Sequence, residues 1–407
     1  MAKNNNLVSV EKALNDAIEG IKRLDTEVIS ISEALGRVLA DDLASRTTQP
    51  PLAVSAMDGY AIRAEDVLVI PAALLQIGES SAGSGFNGTI NPGETVRIFT
   101  GAPVPDGADA IVIQENTTIK RNKVFINHLP KVGDFIRQKG LDFKANETLL
   151  SSGTKLNSRH IALISAMNIP WIRVTRKPHI AILSSGNELV MPGEPIKIGH
   201  IISSNSLGLS AFISSLGGTS ANLGIAQDTS DSIQGLVSNL SGADMLVTIG
   251  GASVGDYDLI KSVLHNKGLK LRFSKVAMRP GKPLIFGEIK SKPMLGVPGN
   301  PVSAGVTAVL FLKPMMDRML GVKSQLTPYE TAILSVELPK NDYRQDYLRS
   351  RLKRGKGGEI IVTPFNKQDS SMLAIFAHAD CLIVRKPLEK RAKPGDRVPI
   401  IRLDPTS

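Results

Sequence analysis

The stretch Thr248-Ile-Gly-Gly-Ala-Ser-Val-Gly-Asp-Tyr-Asp258 holds the residue types best suited to gripping a phosphate. Glycines let the backbone approach an anion closely, and the first N–H groups of a helix point at it with no partner of their own. The preceding run Met245-Leu-Val reads as a buried strand, and Leu259-Ile-Lys-Ser-Val-Leu264 reads as the first turns of a helix. Gly250, Gly251, Ser253 and Gly255 would then form the cradle. Asp256 and Asp258 stand at its rim, where a divalent cation such as Mg²⁺ can bridge carboxylate and phosphate. The plainer reading is a tight loop with incidental acids.

Further polar groups belong to the same chemistry. Glu188 and Asp228 follow two other strand-like runs, and carboxylates crowded at one sheet edge repel each other unless a cation joins them. Alternatively, Glu188 caps a turn and Asp228 starts a helix. Pro298-Gly-Asn-Pro301 ends a strand and opens a helix, with Asn300 as N-cap and Pro301 at the first helical position. Capping alone nearly accounts for that motif; contact with phosphate or base is the functional reading. Lys275, Arg279 and Lys282 frame Pro280-Gly281 and suit a tetrahedral oxyanion, or are simply surface charge. Ser55-Ala-Met-Asp-Gly-Tyr-Ala61 suggests a turn presenting Asp58, and Thr100-Gly-Ala-Pro-Val-Pro-Asp-Gly107 is a second turn-rich loop; both are structural turns on spacing alone.

The elements that must position these groups can be read from the 407 residues, of which 42% are hydrophobic. That length allows two to four domains at roughly 100–200 residues each. No apolar run reaches the ~20 residues of a membrane span, so no membrane role is expected. The segment Met1-Ala-Lys-Asn-Asn-Asn has no apolar stretch of a signal peptide. One cysteine, Cys381, excludes an internal disulfide framework and fits a reducing cytoplasm; with six scattered histidines it gives no zinc spacing. A net charge of +10 calls for an anionic partner. Only 4% of residues are aromatic and there is no nucleic-acid-binding motif, so nucleic acid is not that partner. From Lys267 to Lys292 there are eight Lys or Arg and one acid, Glu288, which suits a small, highly anionic ligand as well as it suits a polymer.

Val10, Ala13, Leu14, Ala17, Ile18 and Ile21 have helical spacing after Ser9, and Ser30-Ile-Ser-Glu33 reads as a capping box opening a helix that buries Ala34, Leu35, Val38 and Leu39. Short apolar runs among many Gly and Pro predict a β domain over 49–144, inserted into a linking domain of 27–48 plus 145–176 that includes a helix at Ser158–Met167. Residues 7–26 give an N-terminal helix expected to pack on the α/β domain. Residues 177–326 alternate strand and helix, which predicts a mostly parallel, doubly wound α/β domain with ligands beyond the strand carboxyl ends. There lie Ser184 to Glu188, Gln227-Asp228 and the glycine loop. Five strand-like runs over 327–407 predict a compact, barrel-like β domain.

Taken together these segments resemble the MoeA-type molybdopterin molybdenumtransferase family, which also forms the C-terminal part of gephyrin. The matching stretches are Ile29 to Leu39, Ser55 to Ala61, Thr100 to Glu115, Ser184 to Leu189, Ser203 to Asn205, Gly250 to Asp258, Lys275 to Pro283 and Val297 to Ser303. They cover essentially the whole chain in order. Each motif is weak alone, whereas Ser-Ala-Met-Asp-Gly-Tyr-Ala together with the rest is specific. The resemblance implies an L-shaped homodimer of four-domain subunits. It implies insertion of molybdate into the dithiolene of adenylylated molybdopterin, with Mg²⁺ required and AMP released. By the same resemblance Glu188, Asp228 and Asp258 lie near Mg²⁺ and the pyrophosphate. Lys275, Arg279, Pro280, Lys282, Pro298 and Asn300, with Ser253, hold molybdate and phosphate. Asp58 and Thr100 face the cleft from this subunit or its partner. The substrate's own sulfurs are the nucleophiles, so no catalytic Cys or Ser–His pair is required.

The chain departs from the family pattern at Ala252, where Val is frequent, and at Gln368-Asp-Ser-Ser371, where Gln-Gly-Ser is usual. Asp369 therefore adds a negative charge beside the molybdate site implied for Ser370 and Arg349. Two other readings compete. A molybdopterin adenylyltransferase, which on this reading supplies the substrate, would need only 177–325. A non-catalytic molybdopterin-binding scaffold would not need Asp58, Glu188, Asp228 and Asp258. Recipient molybdoenzymes would be the downstream partners.

Overall fold

The computed structural model describes residues 7–238, 240, 242–250, 262–323 and 329–403. Helix Val10–Ile18 starts where Ser9 keeps extended backbone angles and its hydroxyl accepts the Lys12 N–H at 3.2 Å. Its Val10–Ala13–Ala17 face packs into the core of the central sheet. The helix expected after Ser30 does not form. Ser30 Oγ does cap a turn, accepting from the Ser32 N–H, but only a single 3₁₀ turn, Ile31–Glu33, follows. Gly36 then takes a φ of 75°, and this left-handed residue stops the helix. Ala34, Val38 and Leu39 are buried as expected, while Leu35 is 67% exposed. Beyond Gly36 the chain is extended: the Leu39 N–H bonds the Thr154 carbonyl, and the Val38 carbonyl accepts from Thr175. Strand Thr26–Ser30 pairs antiparallel with Trp171–Thr175, and helix Ser158–Ala166, closed by a reciprocal Asn157–His160 capping box, covers the same small core.

Six strands form a sheet in the inserted region, in the order Ala110–Ile113, Gly59–Ile62, Glu94–Ile98, Ala72–Ser80, Lys123–Ile126, Thr117–Lys120. Side-chain alternation sends Tyr60 and Ile62 to one apolar cluster and Ala61, Val96 and Ile98 to another. A Cβ on Gly59 would lie 2.1 Å from the Val112 carbonyl oxygen, so the glycine of the Asp-Gly pair is required by the neighbouring strand rather than by a turn.

The central sheet runs Thr219–Ala226, His179–Ser185, Met245–Ile249, Lys292–Val297, Ile285–Ile289, Lys270–Phe273. Its first three pairings are parallel and its last two antiparallel. The interior strand Met245–Ile249 is buried at every residue, as a parallel strand covered on both faces must be. Ile180, Ile182 and Val247 face one core, and Ala181, Leu183 and Leu246 the other. Helix Pro301–Thr307 widens into a π stretch at Ala308–Leu312 before Lys313–Leu320 resumes α geometry. Pro314 falls at the start of that last segment, where it has no N–H to give the preceding turn.

The C-terminal strands close on themselves. Gln345–Arg354, Ile360–Pro364, Glu330–Leu334, Arg397–Arg402 and Cys381–Arg385 run round a five-stranded barrel whose last member pairs again with the first. Closure leaves no edge within the barrel. Met278–Arg279 adds parallel to Gln345–Asp346, and Tyr347, Leu382, Val384 and Ile401 belong to the central core, so barrel and α/β sheet share one packed interior. No helix among the described residues is long and apolar enough to cross a membrane.

Candidate functional site

A cleft of ≈ 890 Å³ opens between the carboxyl ends of the central strands and the barrel. Ser185, Gly250 and Pro298 line it from three strand ends, Arg279 to Pro283 from one side, and Gln368 to Ser371 from the barrel. Gly250 has a φ of 97°, and a Cβ there would lie 2.5 Å from the Ser185 carbonyl oxygen, so only glycine fits this turn. Gly251, Ser253, Gly255, Asp256 and Asp258, and the start of the helix expected after them, lie outside the described residues.

Asn300 occupies the N-cap position but does not cap with its side chain. Its Nδ2 instead donates to Ser370 Oγ at 2.8 Å, across from the helix start to the barrel loop. The Val302 N–H donates to the Ser370 carbonyl at 3.1 Å, which ties the same loop down a second time. Asn205 Nδ2 donates to the Gly299 carbonyl at 2.6 Å. Asn300 therefore belongs to the cleft, and Pro301 together with the backbone suffices to open the helix.

Glu188 lines the cleft with its carboxylate beside the Gly186 backbone; the carboxylate takes no hydrogen bond or ion pair among the described residues, while the Glu188 carbonyl accepts from the Ile201 N–H at 2.8 Å. Asp228 stands just behind. Its Oδ1 accepts from Ser185 Oγ at 2.9 Å and its Oδ2 from the Asn187 N–H at 3.3 Å. Among the described residues no group of three or more His, Cys, Asp or Glu is placed to hold a metal.

The basic residues divide. Lys282 lines the cleft and is exposed. Lys275 does not line it; this exposed residue gives its carbonyl to the Val8 N–H. The Arg279 guanidinium lines the cleft but pairs with Asp346 and, at 3.3 Å, with Asp342. Asp342 also pairs with Arg344 at 2.9 Å, which holds its carboxyl below the ordinary range. Asp346 is buried, and burial raises its pKa despite Arg279; its second oxygen has no partner among the described residues. Arg349 is only 1% exposed. Its Nη2 donates to the Asp369 carbonyl at 2.9 Å, its backbone is clamped by Gln368, and its Nε has no partner among the described residues. Burial lowers its pKa, opposed by the Asp369 charge. Asp369 itself is held below the usual carboxylate range by the Ser371 hydroxyl and N–H.

Asp58 and Thr100 are brought together, away from this cleft. Both the Thr100 N–H and its hydroxyl donate to Asp58 Oδ1 at 2.7 Å, which lowers the Asp58 pKa. Arg344, Asp342 and Asp346 are not evident from the sequence: Asp342-Tyr-Arg-Gln-Asp346 is the available signal, but Arg279, the partner of both aspartates, is more than 60 positions upstream.

A doubly wound domain joined to a closed barrel and an inserted sheet, with a cleft lined by charged residues of both signs, defines a multidomain α/β protein built to hold an anionic ligand. Models described as "MoeA N-terminal region (domain I and II)", "Probable molybdopterin binding domain" and "MoeA C-terminal region (domain IV)" match residues 8–168, 181–318 and 331–403. The chain is 37% identical over 388 residues to the molybdopterin molybdenumtransferase of Nostoc sp., covering 93% of this chain and 89% of that one. Against the Haemophilus influenzae protein of the same name it is 32% identical over 378 residues, covering 92% and 93%. A solved MoeA structure from Pyrococcus horikoshii matches with a TM-score of 0.85 at 26% identity, over 98% of this chain and 100% of that one. The chain belongs to the molybdopterin molybdenumtransferase family.

Proposed function

We propose that this chain inserts molybdenum into molybdopterin. In the specific form of that reading, molybdate enters the dithiolene of adenylylated molybdopterin, Mg²⁺ is required and AMP leaves. The supporting observation is the cleft in which the Asn300 helix start, the Arg279–Lys282 loop and the Ser370 barrel loop converge. Glu188 and Asp228 offer the hard oxygen donors that Mg²⁺ prefers, and they would hold it with Asp258. When bound, the ion offsets phosphate charge.

The chain's own residues bind and orient. Lys282 supplies positive charge to an anionic substrate, while Asn300 and the Ser370 hydroxyl fix an oxyanion by hydrogen bonds. Arg349 supports that loop from behind. Positioning and preorganised electrostatics supply the catalysis. The sulfurs of the substrate form the bonds to molybdenum while oxygen of the molybdate is protonated and leaves as water, so no side-chain nucleophile is needed. The buried Cys381 thiol, pushed up to about 12, is unsuited to being one. Asp58 and Thr100 complete the cleft of a partner subunit in a homodimer whose four-domain limits follow those read from the sequence. A cytoplasmic adenylyltransferase supplies the substrate, and apo-molybdoenzymes receive the product.

Reconstitution with molybdate, Mg²⁺ and adenylylated molybdopterin tests the reading. AMP release should require all three. Asp228→Ala should abolish it while leaving the dimer intact. Undiminished turnover in that variant removes the metal role, and no AMP release by the unaltered protein sinks the assignment.

A further inference from the structure

Asn205 joins two walls of the cleft that carry different chemistry. It is the first residue of helix Asn205–Ser215 but does not serve the start of that helix. The preceding Ser204 already has helical backbone angles, and its side chain makes no cap. Asn205 instead sends Nδ2 across to the Gly299 carbonyl at 2.6 Å. A carbonyl oxygen only accepts, so the amide must meet it through its nitrogen.

Both ends of this bond are anchored. On one side, Leu209 and Ile213 sink the helix into the central core. Just before the helix, Ile201–Ile202 pairs parallel with Leu189–Val190, and the Ile201 N–H bonds the Glu188 carbonyl at 2.8 Å. The segment that leads into Asn205 is therefore the one that holds Glu188. On the other side, a Cβ on Gly299 would lie 3.6 Å from Gly250 Cα, and the Gly250 N–H donates to the Val297 carbonyl at 3.3 Å. The Pro298-Gly-Asn-Pro301 turn thus lies against Gly250, and its Asn300 reaches Ser370 of the barrel. The turn has few other holds. Its two prolines have no N–H, and neither the Gly299 nor the Asn300 N–H meets a backbone acceptor among the described residues.

We propose that Asn205 is a positioning residue for molybdenum insertion. By holding the Gly299 peptide it sets the separation between the Glu188 wall and the Asn300–Ser370 pair. It acts through Asn300, without touching the reacting atoms. A displacement of about an ångström in such a group is enough to cost much of a rate, because the hydrogen bonds it aims work only in one geometry. The step that Asn205 serves rests on the insertion reading above; its hold on the turn does not.

A double-substitution cycle tests it, read as AMP release by the full-length protein on reconstitution with molybdate varied. Asn205→Ala should lower kcat/KM for molybdate roughly tenfold, the worth of one good hydrogen bond. Asn205→Asp should do no better, because a carboxylate has no N–H to give the Gly299 carbonyl. In an Asn300→Ala background, Asn205→Ala should add less than about a twofold loss, since residues acting through one another are not additive. Amide exchange gives a second readout that needs no substrate. The Val302 N–H, bonded to the Ser370 carbonyl, should exchange faster in Asn205→Ala, with the melting temperature unchanged. Unaltered kcat/KM in both Asn205 variants overturns the proposal. So does an equal loss with and without Asn300, which makes Asn205 an independent contact. A lowered melting temperature with faster exchange along all of helix Asn205–Ser215 overturns it too, as the mark of a merely structural role. Failure of the unaltered protein to release AMP removes the insertion reading instead. Val302 exchange then decides: faster exchange in Asn205→Ala keeps the hold on the turn, and unchanged exchange ends it.

Discussion

Two arginine–aspartate groups in this molecule look alike in sequence and behave oppositely in the fold. At the cleft wall Arg279 is shared between Asp342 and Asp346, and Asp346 is buried. On the inserted sheet Arg97 is flanked by rings, and Asp58 is held by a threonine. The first group uses its charges on itself and joins two domains. The second keeps an open acceptor and open donors. A basic residue near a ligand is therefore not in itself a ligand contact; its partners decide.

The largest expected effect breaks the inserted group from below. Gly59→Ala forces a methyl into the Val112 carbonyl, which costs roughly 3 kcal/mol by the usual cost of overpacking and is measurable by urea denaturation. It should disrupt the Asp58 turn and leave the cleft unchanged. Next, Asp346→Ala strips Arg279 of its buried partner. Loss of a fully buried partner costs ~3–5 kcal/mol, and because Arg279 is half exposed about 2 kcal/mol is expected. The barrel–sheet junction should loosen, seen as faster amide exchange in Gln345–Arg354. A smaller effect is expected at the cleft mouth. Asp369→Asn removes a negative charge near Arg349 and should tighten molybdate binding about threefold at low salt, fading as salt screens it.

The smallest effects are in pH dependence, and they have opposite signs. Asp58 has a lowered folded-state pKa, so its stabilising contribution is present above its unfolded value of 3.8 and is lost as pH falls through the folded one. Thr100→Val should raise that pKa and shrink this contribution, seen as a weaker dependence of stability on pH in the acid range. Asp346 has a raised folded-state pKa, so its protonated form favours the fold. Stability should fall as pH rises from 3.8 through that raised value, and Asp346→Asn should flatten this part of the curve. A matched direction in both variants would erase the contrast between the two groups.

Elements with one dominant period were legible in the sequence. The run from Met245 marks a strand that extends to Ile249, and five strand-like runs over 327–407 match the five barrel strands, because buried runs and turn residues alternate there without competition. Ala34, Val38 and Leu39 were correctly buried but wrongly helical, since their spacing suits either a helix or an extended chain crossing a core, and a single left-handed Gly36 decided it. The cleft was legible as a set of strand ends. Who pairs with whom was not: Arg279 meets Asp346 only because Met278–Arg279 joins the barrel sheet, a pairing that no local pattern announces.

That short junction also bears on how the cleft admits its ligand. Backbone hydrogen bonds stitch the Arg279 wall to the barrel, and the Asn300–Ser370 bond ties the opposite side to the barrel loop. Both sides are thus fastened to the barrel. A substitution that shifts the barrel would therefore move both walls together, and the spacing between them would change less than the spacing of either from the central sheet.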